Sequence, residues 1–318
     1  MERHVEPIPE PFEKASRLVE NVCSVIKGKE SQVRLAVVCL LGQGHLLIQD
    51  VPGVGKTMLA RALSRSISGS FKRIQFTPDL LPTDVTGVNV FNQLTCQFEF
   101  RPGPVFAHVV LADEINRATP RTQASLLEAM DEGRVTVDGE THPLPRPFFV
   151  IATQNPLEQH GTFPLPEGQL DRFMMSISLD YPDEEAEREV VEMQLLRHPI
   201  EDLSPALTAE EVLALQEEVR RVQIHPDVAT YLVSLVRATR TTEGVSLGSS
   251  TRGAVFLARA SQAMAFLEGR DYVIPDDVKS LAEPVLAHRL VVADRGAPFV
   301  LNREIVARLL EKVPVPVL

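Results

Sequence analysis

His45-Leu46-Leu47-Ile48-Gln49-Asp50-Val51-Pro52-Gly53-Val54-Gly55-Lys56-Thr57 is the stretch on which the fold turns. A short apolar run, readable as a buried strand, ends in a turn of Pro and Gly. The turn feeds Met58-Leu59-Ala60-Arg61-Ala62-Leu63, a good helix former. Strand, glycine loop, Lys-Thr and helix is the context that a phosphate-binding loop requires. Backbone N–H groups of such a loop point at an anion, and the helix N-terminus adds positive potential. Gly53 and Gly55 let the backbone close round phosphates with no Cβ in the way. Lys56 is placed to reach the β and γ phosphates, and Thr57 to ligate Mg²⁺. Pro52, Val54 and Met58 complete the nucleotide-contacting set. One position departs from G-x-x-x-x-G-K-[ST]: the first glycine falls at position 50, where the chain has Asp50. An ordinary β-turn-α connection is the competing reading of this stretch alone.

A second run strengthens the first. His108-Val109-Val110-Leu111-Ala112 is an apolar strand ending in Asp113-Glu114. Two carboxylates at the carboxyl end of a strand lie where α/β sheets put their ligands. Asp113 would hold Mg²⁺, usually through water, and Glu114 would polarise an attacking water. A further apolar strand, Phe148 to Thr153, leads into Gln154-Asn155-Pro156. An amide at such a strand tip can bond both a phosphate and a water. Taken alone, Asn155 before Pro156 reads as a turn former.

The bulk numbers set bounds. A chain of 318 residues, 44% hydrophobic and 24% charged, has the makeup of a two-domain globular protein. The net charge of −11 argues against a general nucleic-acid binder, which carries a basic footprint. Cys23, Cys39 and Cys96 are far apart without metal-ligand spacing, as in a reducing cytoplasm. The polar, acidic first residues are not those of a signal peptide. No apolar run approaches the length of a membrane span.

In chain order, residues 1–10 read as a charged, Pro-rich arm, and 11–181 as an αβα nucleotide-binding core around a parallel sheet. Two amphipathic helices precede the loop, broken at Gly28. Residues 71–76 read as a strand. The segment 77–104 reads as an inserted β-hairpin, either a contact surface or a structural flap. Thr119 is placed to cap a helix with Pro120 at its first position. Residues 134–146 read as a hairpin turning at Asp138-Gly139. Met174 to Leu179 is the last expected strand. Residues 182–205 are a linker helix, capped by Asp183, with Arg197-His198 at its far end. From about 205 the strands stop, and 206–318 form an all-helical domain that begins with the capping box Thr208-Ala209-Glu210-Glu211. Within it, Arg252 sits in the first turn of a helix, against the dipole. Such an inconsistency marks functional sites, so Arg252 is expected to face phosphate across the domain interface. From this feature alone a surface salt bridge serves as well.

Together these segments resemble the AAA+ ATPases, and one branch in particular. Val51 to Thr57, Glu99-Phe100-Arg101-Pro102-Gly103-Pro104-Val105-Phe106, Ala112-Asp113-Glu114-Ile115-Asn116-Arg117-Ala118, Ala152 to Pro156 and Leu165 to Phe173 are similar to the motifs of the MoxR family. The resemblance covers nearly the whole chain after the first ten or so residues. In that family Asp50 at the first-glycine position is usual. The resemblance implies Asn155 as sensor 1, Arg252 as sensor 2 and Arg172 as an arginine finger acting on a neighbouring subunit. It implies that Ile26 and Gly28 lie in the segment lining the adenine pocket. It makes 77–104 the helix-2 insert and 134–146 the pre-sensor-1 hairpin, both facing the axis of a ring, typically a hexamer. It implies ATP and Mg²⁺ as ligands. It also implies chaperone-like remodelling of a protein client, often beside a partner with a von Willebrand A domain.

Three rival readings share the loop. A nucleic-acid motor is disfavoured by the charge and by a hairpin, 85–100, with little Lys or Arg. A scaffold that binds ATP with little hydrolysis is disfavoured by the intact Glu114, Asn155 and Arg172. A small-molecule kinase leaves the helical domain and Arg252 without a role.

Overall fold

The computed structural model describes residues 10–156, 161–196, 199–292 and 298–316. Positions 1–9 of the arm, and Arg197-His198 after the linker helix, lie outside the described residues. Two helices come first, α1 (Glu10–Cys23) and α2 (Glu30–Leu41), then β1 (Leu46–Gln49) and α3 (Lys56–Ser66). β2 (Phe71–Gln75), the short α4 (Pro82–Thr86) and a hairpin of β3 (Gly87–Asn92) and β4 (Gln97–Pro102) follow. β5 (Val109–Asp113) leads to α5 (Pro120–Glu132), a second hairpin of β6 (Arg134–Val137) and β7 (Glu140–Pro143), and β8 (Phe149–Gln154). Then come α6 (Glu167–Leu170), β9 (Met175–Ile177), α7 (Glu184–Leu196) and α8 (Ala209–Val219). The remainder is α9 (Pro226–Thr239), β10 (Val245–Leu247), α10 (Thr251–Leu267), α11 (Pro275–Leu286), β11 (Val291–Val292) and α12 (Pro298–Lys312).

The central sheet is parallel throughout, in the order β2-β5-β8-β1-β9. Strands covered on both faces must be apolar on both, which is why β1, β5 and β8 show no alternation. Neighbouring residues then go to opposite cores. Leu46, Ile48, Val109, Leu111, Phe149 and Ile151 join one core with α1, α2, α3 and the later helices. Leu47, Val110, Ala112, Val150 and Ala152 join a second with Leu126, Leu127 and Met130 of α5. α1 is bound in by Ala15, Leu18, Val19 and Val22, buried at helical spacing. All strands point the same way, so one end of the sheet gathers every carboxyl terminus and the other every amino terminus.

Local rules explain most boundaries. Ala186 N–H donates to Asp183 Oδ1 at 2.8 Å at the start of α7. The capping box closes both ways, Glu211 N–H to Thr208 Oγ1 at 3.2 Å and Thr208 N–H to Glu211 Oε2 at 2.9 Å. Two expectations need amendment. Thr119 occupies the N-cap of α5 without a side-chain cap bond; its hydroxyl lies 3.3 Å from that of Thr122. Strands also do not stop at 205, because β10 and β11 pair as a small antiparallel ribbon among the later helices. The insert gains α4 before its hairpin, and the two hairpins touch. Phe100 stacks on His142 with ring centroids 3.9 Å apart, and Asn89 Nδ2 donates to Asp138 Oδ2 at 2.8 Å.

Candidate active site

The loop after β1 has the conformation its glycines allow. Gly53 and Gly55 take φ of +90° and +94°, and no atom stands within 4 Å of where a Cβ would be. The left-handed backbone leaves an open cradle at the N-terminus of α3. Asp50, in place of glycine, is explained by its contacts. Its Oδ2 accepts from the N–H of Leu179 at 2.6 Å and of Asp180 at 2.8 Å, and its Oδ1 accepts from Val51 N–H at 2.8 Å. A buried carboxylate satisfied by backbone amides ties the end of β1 to the chain leaving β9. Lys56 Nζ donates to the carbonyls of Asp50 at 2.8 Å and Val51 at 3.1 Å. Burial pulls its pKa down, opposed by the charge of Asp50.

Two clefts share this cradle. One, of about 270 Å³, is lined by Lys56, Thr57, Asp113, Glu114 and Asn155 together with Arg73. The other, of about 220 Å³, is apolar, lined by Val25, Ile26, Val54, Met58, Val190 and Met193 among others. Gly53, Gly55 and Met58 belong to both. Gly28 does not line the apolar cleft but shapes it. Its φ is +65°, and an added Cβ would stand 2.6 Å from that of Ala186, so only glycine lets this turn pack on α7.

The carboxylates are held by neighbours that sequence reasoning did not single out. Arg73 on β2 donates to Asp113 Oδ2 through Nε at 3.0 Å and Nη2 at 2.6 Å. Thr153 Oγ1 donates to Asp113 Oδ1 at 2.6 Å. Gln75 Nε2 donates to Glu114 Oε2 at 2.8 Å, and Arg117 Nε lies 3.1 Å from the same oxygen. Glu114 itself has φ of +55°, and its N–H is fixed by Thr153 Oγ1 at 2.9 Å. A signal for Arg73 and Gln75 existed in the period of two, which puts both on one face of β2. The residues fit a nucleotide with Mg²⁺. Thr57 and Asp113 supply hard oxygen donors, and Asp113 already carries a cation, Arg73, on its Oδ2.

Arg172 and Arg252 lie elsewhere. Both guanidinium groups sit on Asp131 at the C-terminus of α5, Arg172 Nε at 3.3 Å and Arg252 Nη2 at 3.6 Å from Oδ2. This is the amino end of the sheet. His45 just before β1 has its Nε2 3.2 Å from the carbonyl of Met130, and Arg172 precedes β9. The four residues of β1 separate that end from the loop, so His45 and Asp50 lie five steps, roughly 15 Å, apart at strand rise. In the single chain Arg252 is therefore paired with Asp131, away from the phosphate loop. Its helix is turned to the opposite end of the sheet, and its first-turn charge is met by Asp131.

The helical domain fixes this second cluster. Arg289, with its side chain 1% exposed, donates from Nε to Asp171 Oδ1 at 3.0 Å and from Nη2 to the carbonyls of Asp171 at 3.2 Å and Phe173 at 2.5 Å. Burial holds its pKa down to about 10, opposed by Asp171. Ser250 Oγ, at the N-cap of α10, donates to the same carboxylate at 2.9 Å. Asp171 precedes Arg172 and Ser250 stands two residues before Arg252, so one buried joint sets both arginines. Arg289 carried no sequence signal, being one Arg in an apolar run.

A phosphate cradle on a parallel sheet, acidic residues at the adjoining strand ends and a helical domain packed behind define the AAA+ class of P-loop ATPase. Residues 45–175 match the ATPase family associated with various cellular activities (AAA), and 237–309 match the AAA lid domain. The chain is 49% identical to the uncharacterized protein YeaC of Bacillus subtilis, over 95% of this chain and 94% of that protein. It is 40% identical to Chaperone MoxR1 of Mycobacterium tuberculosis, over 94% and 82%. It is 30% identical to Protein MoxR of Methylorubrum extorquens, over 95% of each. A crystal structure from Cytophaga hutchinsonii, described as that of a candidate ATPase, superposes with a TM-score of 0.88 at 37% identity over 96% of both chains. The chain belongs to the MoxR family of AAA+ ATPases.

Proposed function

We propose that the chain hydrolyses ATP at the interfaces of a homo-oligomeric ring, a hexamer, and uses the cycle to remodel a protein client. The observation that supports this most is the division of charged groups between the two ends of the sheet. Lys56, Thr57, Asp113, Glu114 and Asn155 gather at one end, whereas Arg172 and Arg252 stand partly exposed at the other. Hydrolysis of a triphosphate needs positive charge opposite the loop, and a second copy presenting its amino end supplies it. In this reading Arg172 and Arg252 both act on the neighbour's nucleotide. Thr57 and Asp113 would hold a Mg²⁺ arriving with ATP, which would supply positive charge to the phosphates. Lys56 and the amides of Gly53 and Gly55 hold the phosphates. Glu114, released from Gln75 and Arg117, takes the proton of water, and Asn155 orients that water. The apolar cleft with Ile26 and Met58 receives the base.

Chaperone-like work is supported by the family and by the exposed tips of the insert. Phe91, Leu94 and Phe98 are 49%, 95% and 72% exposed. The family resemblance adds a von Willebrand A domain partner. Among the described residues no helix is long and apolar enough to cross a membrane. The test is ATPase rate per subunit against protein concentration, with and without admixed Arg172→Ala subunits that keep Lys56. A rate that climbs with concentration and falls on mixing is expected. A flat rate, indifferent to the variant, would overturn the shared site. A Glu114→Gln variant, expected to bind ATP without cleaving it, is the bait for the client; enrichment no better than with Lys56→Ala would remove the remodelling step.

A further inference from the structure

Two cations that a neighbour's phosphate is expected to need do not stand free in the single chain. Both rest on one carboxylate, Asp131. The contact is loose. Arg172 Nε lies 3.3 Å from Oδ2 but makes no hydrogen bond, although the atom is itself buried. Arg252 stands off at 3.6 Å. The side chains are 30%, 43% and 32% exposed for Arg172, Arg252 and Asp131, so a ligand from outside can reach them. By contrast, the neighbouring Asp171 is tightly engaged by Arg289 and Ser250 and is not available as an alternative partner. The backbone of the cluster is fixed while its last charge contact is weak and open.

We propose that Asp131 is the resting counter-ion of Arg172 and Arg252, and that the γ-phosphate held by a second copy of this chain displaces it during assembly. The inference rests on the ring reading above and assigns a positioning role to a residue that touches neither nucleotide nor water. Without a carboxylate the two guanidiniums repel one another and spread into solvent; on Asp131 they stay paired and aimed outward. The same attraction opposes their transfer to phosphate. Asp131 thus orders the arginines and sets a threshold that a nucleotide without a γ-phosphate does not overcome. A phosphate with more charge than a carboxylate, and with free oxygens for hydrogen bonds that Asp131 leaves unmade, wins the exchange. No bond is broken in the step; one set of ion pairs replaces another.

The experiment measures the protein concentration for half-maximal assembly by sedimentation, in a non-hydrolysable ATP analogue and in ADP, for the parent, Asp131→Asn and Arg172→Ala. Asn keeps the shape of Asp131 and removes its charge. Asp131→Asn is expected to lower the midpoint in ADP by about threefold or more, the scale of a partly exposed ion pair, and so to narrow the gap between ADP and the analogue. Arg172→Ala is expected to raise the midpoint in the analogue. If Asp131→Asn leaves the gap unchanged or widens it while Arg172→Ala still weakens assembly, the counter-ion proposal is overturned and the ring reading stands. If Arg172→Ala leaves the analogue midpoint unchanged, the reading beneath it falls, and the proposal with it. Matching melting curves for parent and Asp131→Asn show that a shifted midpoint is not a folding defect.

Discussion

The two ends of the central sheet are built on opposite plans. At the carboxyl end, one continuous loop and the tips of β5 and β8 supply the cleft, and the neighbours Arg73, Gln75, Arg117 and Thr153 hold its carboxylates by side-chain contacts. At the amino end, α5 contributes Asp131, the chain before β9 Asp171 and Arg172, α10 Arg252, and the turn after α11 the buried Arg289 that joins them. The first end is a local device that binds ligand within one chain. The second is a tertiary device that presents charge outward. A fold that keeps them roughly 15 Å apart along the strands cannot bring both to one nucleotide, so the difference argues for two chains per site.

The strongest way to break the comparison is kinetic. Arg172→Ala is expected to cut the per-subunit ATPase rate about 10³-fold, the lower range for an arginine finger, while nucleotide affinity by fluorescence titration stays within about threefold. Lys56→Ala should lose binding as well as turnover. If both variants lost affinity equally, the two ends would not be functionally distinct.

A second test asks whether the amino end is held by its buried ion pair. Asp171→Ala leaves the guanidinium of Arg289 buried without its carboxylate, a loss on the order of 3 kcal/mol. Urea unfolding should show it as a lower midpoint at unchanged slope. The double variant Asp171→Ala with Arg289→Met should recover part of that loss, because it removes the stranded charge.

Acid separates the ends further. His45 lies at the amino end, and burial lowers its pKa from 6.5 to about 4. His288, beside Arg289, is pushed well below its usual value by burial and then by that charge. A depressed histidine stays neutral in the folded chain while the unfolded chain takes up a proton. Stability is therefore full above pH 6.5 and declines as pH falls from 6.5 toward 4. From His45 alone the loss at pH 5 is on the order of 2 kcal/mol. Denaturation at pH 7.5 and pH 5, with His45→Gln as the variant that flattens the difference, measures it.

The smallest expected effect sharpens the carboxyl end. Arg73 is half exposed and pairs with Asp113, where a divalent cation would bind. Arg73→Ala should tighten Mn²⁺ binding in the absence of nucleotide by about threefold, the modest worth of an exposed pair. Electron paramagnetic resonance titration reads it directly, and unchanged affinity would show that Arg73 does not compete with metal.

Much of the molecule was legible before its folding was known, for identifiable reasons. The cradle is contiguous, so its glycines, Lys56 and Thr57 could be read as a unit. The strands β1, β5 and β8 announced themselves as apolar runs because both faces are covered. The helical domain showed its capping box and its spacing. Arg252 was singled out from its conflict with the helix dipole, which says that a charge needs a partner and not which one. Gly28 was read as part of the segment beside the pocket, and the structure adds that its left-handed turn packs on α7. Arg73, Asp131 and Arg289 went unremarked because one charged residue in a strand, at a helix end or in an apolar run has many ordinary explanations.

By itself the sequence determined the elements, their apolar faces and the phosphate loop, because those depend on residues within a few positions of one another. Only the tertiary structure decided which charges meet. Arg289 and Asp171 are 118 positions apart, and nothing local records that one will be buried against the other. The direction of the sheet sends Arg172 and Arg252 away from their own loop, and packing of the helical domain seats both on Asp131. Charge placement over such separations follows from chain topology, which periodicity and propensity do not encode.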